Sequence, residues 1–206
     1  MHYYRNYAAA IQRSLAQLEV TDVESRSLDP EDGFARICEL SKHVQRAGRA
    51  QFLCGNGASA AFASHMAVDW TKNGNVRTHA FNDIALLTAL GNDLGYDATF
   101  AAPLTLYAQA GDLLGIISSS GNSANVLKAI NTARQKHLHV ITFSGLQADN
   151  QSRQMGDINF YIPAKTYGIV ESTHQILLHA WLDKFMGIEE WSRDTCQNMH
   201  VDGFQL

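Results

Sequence analysis

The chain has 206 residues, 46% of them hydrophobic, and a formal net charge of -4. That length and apolar content suffice for one substantial core, while the scattered basic residues exclude the electrostatic footprint of a nucleic-acid or anionic-membrane binder. No apolar run approaches the roughly 20 residues that cross a bilayer, and the start Met1-His2-Tyr3-Tyr4-Arg5 lacks the layout of a signal peptide, so a cytoplasmic protein is expected.

In chain order, Tyr7, Ala8, Ile11, Leu15 and Leu18 recur at helical spacing, and Phe34, Ile37, Leu40 and Val44 do so again behind the helix-start signal Asp29-Pro30. Two amphipathic helices are therefore expected within residues 1–48, and Tyr3, Tyr4 and Tyr7 on the first suit packing against a neighbouring subunit. Apolar runs at about 50–54, 76–81, 112–117, 138–143 and 158–162 then alternate with helical stretches at about 58–72, 84–109, 123–136 and 168–186. This alternation predicts an α/β fold, a three-layer sandwich with a five-stranded parallel sheet spanning residues 49–187 behind the two N-terminal helices. Residues 188–206 read as a polar tail with isolated aromatics. The three cysteines, Cys38, Cys54 and Cys196, are widely spaced and form no CxxC, which argues against a disulfide framework or a thiolate metal site.

Two loops share one grammar: Gly55-Asn56-Gly57-Ala58-Ser59-Ala60 and Ser118-Ser119-Ser120-Gly121-Asn122-Ser123. Each lies between a predicted strand and a predicted helix, so backbone N–H groups and hydroxyls gather where a helix begins, an arrangement that attracts anions. One serine is enough for a helix cap; three hydroxyls and a Gly-Asn turn point to a phosphate. Gly55-x-Gly57-x-x-Ala60 also meets the permissive dinucleotide fingerprint. The acidic residue expected about 20 positions on is missing, since Asp83 arrives only 28 residues after Gly55, and no nucleotide is expected.

Proton-moving groups lie on two helices. His65 and Asp69 share a face, as do Glu171, Gln175 and His179, with His174 nearby. A lone histidine on an apolar helix is commonly a satisfied core residue. A carboxylate and an imidazole on separate helices near a phosphate site instead form an acid/base pair able to shift a proton between adjacent sugar carbons. Asp69 and His179 are the pair expected to do so. His137 and His139 flank a strand start and read as surface or packing residues.

Together, Gly55-Asn56-Gly57-Ala58-Ser59, the His65-to-Asp69 spacing, Gly91-Asn92-Asp93, Ser118 to Ser123 and Glu171-x-x-His174-x-x-x-x-His179 resemble the sugar isomerase (SIS) domain family, and within it the isomerases of phosphorylated heptoses. The likeness runs from about Ala8 to Gly187. It implies isomerisation of sedoheptulose 7-phosphate to D-glycero-D-manno-heptose 7-phosphate through a cis-enediol, a step toward the heptose of lipopolysaccharide or related surface glycans. It also implies a homotetramer with shared sites and, as in several members, zinc.

Residue by residue, the resemblance implies that Ser118, Ser120 and Ser123, with the backbone of Ser119, hold the phosphate. Asn56, Gly57 and Ser59 would line the sugar, Asp93 and Glu171 the same pocket. Asp69 would be the base and His179 the acid, with His65, Asp69, Glu171 and His179 as metal ligands. The chain departs from the family pattern at Asp69, where Glu is usual, and at Glu171, where Gln is common. It departs also at Gly168, near a family aspartate, and at Asn73, near a phosphate-region arginine. The same family includes a non-catalytic regulator of replication initiation and isomerases of other phosphosugars, which are the alternative readings.

Overall fold

The structure, a computed structural model, describes residues 2–188 and the backbone of two short strands, β8 (His200–Val201) and β9 (Phe204–Gln205). Most of the expected tail, and Cys196 with it, lies outside the described residues.

The chain opens with helix α1 (Tyr3–Ala16), a short hairpin of β1 (Glu19–Asp22) and β2 (Ser27–Leu28), and helix α2 (Pro30–Arg46). Asp29 caps α2 by accepting a hydrogen bond from Glu31 N, and Pro30 occupies the first helical position, as the sequence signal requires. Strands β3 (Gln51–Gly55), β4 (Thr78–Ala80), β5 (Leu113–Ser118), β6 (His139–Gly145) and β7 (Ile158–Ile162) then alternate with α3 (Ala58–Lys72), α4 (Ile84–Leu94), α5 (Ala101–Tyr107), α6 (Ala124–Gln135) and α7 (Tyr167–Met186).

The sheet has seven strands in the order β2-β1-β7-β6-β5-β3-β4, so the expected five-stranded parallel sheet is extended by the N-terminal hairpin. β3 to β7 pair in parallel, whereas β1 runs antiparallel to β7 with Val20 opposite Phe160. The hairpin turn is held by Asp22, whose Oδ1 accepts from Glu24 N and Arg26 N and whose Oδ2 meets the Arg26 guanidinium. A second difference falls at 84–109, where one helix was expected. Gly95 adopts φ +88°, a conformation that favours glycine, and splits the stretch into α4, a 3-10 turn at Tyr96–Ala98, and α5.

Strand alternation sorts the core into two layers. Leu53, Leu113, Ile117, Phe143 and Phe160 face α2, α3 and α7, meeting Ile37, Met66, Trp70 and Trp181. Phe52, Leu114, Ile116 and Val140 face the other way, onto Phe100, Leu104, Val126 and Ile130 of the α5–α6 side. This is the three-layer arrangement. The rings of Trp70 and Trp181 pack 4.8 Å apart, both wholly buried, and seam α3 to α7. Among the described residues no helix is long and apolar enough to cross a membrane.

Candidate active site

Both glycine-serine loops sit at the carboxyl ends of parallel strands, where an open α/β sheet offers its crevice. They line one cavity of about 250 Å³ with Asn56, Gly57, Ala58 and Ser59 on one side and Ser118, Ser119, Ser120 and Ser123 on the other. Tyr167 and Glu171, from the first turns of α7, close it. Two helices begin here without a side-chain cap, α3 at Gly57 and α6 at Ser123. Ser59 N and Ala60 N of α3 donate to Asn56 O and Gly57 O, and Val126 N of α6 to Asn125 Oδ1, so what these ends offer an anion is the dipole of the two helices and the Ser123 hydroxyl. Ser118 and Ser120 accept hydrogen bonds from Gly121 N and Asn122 N, so each hydroxyl proton stays free to donate. Ser119 Oγ is buried and has no partner.

The serine loop is clamped from behind by residues that sequence reasoning missed. Gly145 N donates to Ser119 O, Ser152 N to Gly121 O, and Gln151 N to Asn122 Oδ1. Asn150, 1% exposed, donates through Nδ2 to Gln147 O and Ser144 Oγ, and its Oδ1 accepts from Ser152 Oγ and Arg153 N. Gly121 has φ +63°, and a Cβ there would run into the Asn150 amide. His174, fully buried, donates from Nε2 to the Ser144 carbonyl at 3.1 Å, which fixes its tautomer. Burial pushes its pKa down to about 4, so the ring is neutral.

Asn56 is less free than its position suggests. Its amide exchanges two hydrogen bonds with Asn125, at 2.9 and 2.8 Å, and its oxygen also accepts from the Tyr96 hydroxyl. The pair ties the first loop to the first turn of α6. Asp93 stands apart: exposed near the end of α4, it accepts from Asn92 and is not among the residues lining the cavity. Asn73 lies at the far end of α3, its Oδ1 buried without a partner. His137 occupies a turn with φ +59°, and His139 packs edge-on against His43, in keeping with a packing role.

Helices α3 and α7 bring His65, Asp69 and His179 together, one donor atom from each lying within 4.8 Å of the others. His65 Nε2 is 3.2 Å from Asp69 Oδ2, and the His65 and His179 rings meet edge to face at 5.4 Å. The His65 side chain is half exposed and that of Asp69 largely covered. His179 Nε2 lies 2.7 Å from the Gln175 amide nitrogen, one helical turn back. Glu171, expected with this group, instead faces the serine-loop cavity. The chemistry the arrangement offers is an anion seat at one place and, at another, a carboxylate beside two imidazoles.

A model of the SIS domain matches residues 6–145. A phosphoheptose isomerase of Mycobacterium bovis is 37% identical over 143 residues, 66% of this chain and 71% of that protein. One from Thiobacillus denitrificans is 32% identical over 179 residues, covering 79% and 91%. Among solved structures, phosphoheptose isomerase GmhA from Neisseria gonorrhoeae superposes with a TM-score of 0.77 at 29% identity, over 89% of this chain and 95% of that one. The fold, the paired loops and these similarities agree that the chain belongs to the SIS domain family, alongside its phosphoheptose isomerases.

Proposed function

We propose that this sugar-phosphate isomerase converts sedoheptulose 7-phosphate to D-glycero-D-manno-heptose 7-phosphate. The observation that carries the reading is the convergence, within one chain, of Asp69 and His179 from two helices that also reach the serine-loop cavity. His179 lies eight residues beyond Glu171 on α7, about 12 Å along the axis. That span suits a long open-chain sugar with its phosphate at the serine loop and its carbonyl beside the imidazole.

Ser118, Ser120 and Ser123 donate to the phosphate dianion with the Ser119 backbone alongside, and Asn56, Gly57, Ser59 and Glu171 face the sugar hydroxyls. Asp69 removes a proton from C1 while His179 protonates the oxygen at C2, giving the cis-enediol. Loss of the O1 proton and return of the carbon-bound proton at C2 leave the aldose. Asp69 Oδ2 is directed at His65, which leaves Oδ1 to take the proton. His65, Asp69 and His179 are nitrogen and oxygen donors close enough to hold zinc, which when bound supplies charge that polarises the carbonyl. Asp93 fits the pocket only if another copy of the chain brings it there. The exposed Tyr3 and Tyr4 on α1 and Ile84 and Leu106 on α4 and α5, each more than 70% exposed, suit packing in a homotetramer.

The test is NMR observation of aldose formation from sedoheptulose 7-phosphate with no nucleotide added. Asp69→Asn and His179→Ala are each expected to lower turnover by about 10²- to 10⁴-fold. Tight binding of the sugar phosphate by the unaltered protein without turnover would favour a regulator and end the isomerase reading.

A further inference from the structure

We infer that Asn125 is a positioning residue, which makes Asn56 a one-way contact that gives the sugar a single N–H and accepts nothing from it. The inference rests on the proposed reading of Asn56 as a sugar contact, and assigns what orients that side chain and the kind of ligand atom it takes. A backbone amide sets the order of the contacts. Val126 N can only donate, and it donates to Asn125 Oδ1 at 3.0 Å, so the oxygen and nitrogen of that amide cannot trade places. Asn125 Nδ2 then uses both of its hydrogens, one on Asn56 Oδ1 at 2.8 Å and one on Thr99 Oγ1 at 3.3 Å. Thr99 gives its own proton to Tyr96 O at 2.8 Å, which leaves its oxygen to accept.

Asn56 is the end of this series. Its Nδ2 donates one hydrogen to Asn125 Oδ1 at 2.9 Å, and the Tyr96 hydroxyl, at 3.1 Å, takes the lone pair of Asn56 Oδ1 that Asn125 leaves. Reversing the Asn56 amide would set donor against donor and acceptor against acceptor. Asn125 is 2% exposed and Thr99 wholly buried, so water does not stand in for a lost partner. The oxygen of Asn56 is therefore saturated, while the second hydrogen on its nitrogen has no partner among the described residues, and the residue lines the serine-loop cavity. A ligand atom that meets Asn56 must accept. Glu171, the one carboxylate lining the same cavity, does the opposite and takes a proton donor. A hydroxyl both gives and accepts, so a polyol is the class of ligand that satisfies this donor and this acceptor together.

The experiment is a double-mutant cycle on the full-length protein, read by KM and kcat for sedoheptulose 7-phosphate, or by Kd if the sugar binds without turnover. Asn56→Ala is expected to raise KM about 5- to 10-fold with kcat nearly unchanged. Asn125→Ala, folded by circular dichroism, is expected to give a similar rise, and the double variant no more than Asn56→Ala alone, because Asn125 acts through Asn56. Tyr96→Phe, which leaves the Asn125 pair in place, should move KM the same way by less than about 3-fold. Fold-changes that multiply in the double variant would overturn the inference and leave Asn56 a sugar contact, whereas an unchanged KM in Asn56→Ala would overturn both. A second measurement needs no change at Asn125. In the NMR spectrum of the unaltered protein, with the Asn56 side-chain amide assigned by its loss in Asn56→Ala, the sugar phosphate is expected to shift one of the two proton signals and leave the other, bonded to Asn125, in place. Equal shifts of both would overturn the inference.

Discussion

The anion seat and the α3–α7 cluster are made of different material. Around the serine loop the polar groups are backbone amides and short hydroxyls, fixed by buried partners such as Asn150 and Ser152 at 1% and 0% exposure. At the cluster they are long side chains on helix faces, with the His65 side chain 54% exposed. The first region is rigid because moving it would strand buried hydrogen-bonding groups. The second can rearrange its side chains on a ligand while the helices beneath stay still.

The contrast can be broken most severely at Gly121. Gly121→Val puts a branched side chain at φ +63° and against the Asn150 amide, and the expected loss is about 4 kcal/mol of stability by urea denaturation. Phosphate affinity should fall with it, while the α3–α7 cluster, which Gly121 does not touch, keeps its geometry.

Acid sharpens the comparison. His174 is neutral when folded, with its pKa near 4, and protonates in the unfolded chain near its ordinary 6.5. Between those values the unfolded state binds more protons, so stability is present above pH 6.5 and is lost as pH falls toward 4. The loss from this group is about 3 kcal/mol. It should be absent from the pH dependence of a His174→Gln variant, measured by denaturation at pH 7 and pH 4.5 beside the unaltered protein.

The smallest effect is expected at the exposed end. His65→Ala removes a solvent-screened contact with Asp69 and should cost under about 1 kcal/mol in the same denaturation assay. A larger loss would show that this cluster, too, is part of the rigid frame.

Sequence periodicity was sufficient for α2, α3, α6 and α7 and for the parallel strands, because their apolar residues repeat in step with the element. It was insufficient for β1, four residues of which two are acidic, since pairing with β7 supplies the order that the segment's own pattern lacks. It also read through Gly95, because apolar residues continue on both sides of the break. The glycines and hydroxyls of the two loops declare themselves locally, as do the i, i+4 pairs on the helices. Asn125 and Asn150 do not, since their roles arise from contacts with residues remote in the chain: Asn125 meets Asn56 across 69 positions.

Trp70 follows Asp69 directly, and Trp181 lies two residues past His179, so the paired indoles are next in the chain to the α3–α7 cluster. The molecule therefore carries its own optical probe. Near-ultraviolet dichroism and emission, read in a Trp191→Phe background that removes the third tryptophan, register slippage between α3 and α7 with no label attached.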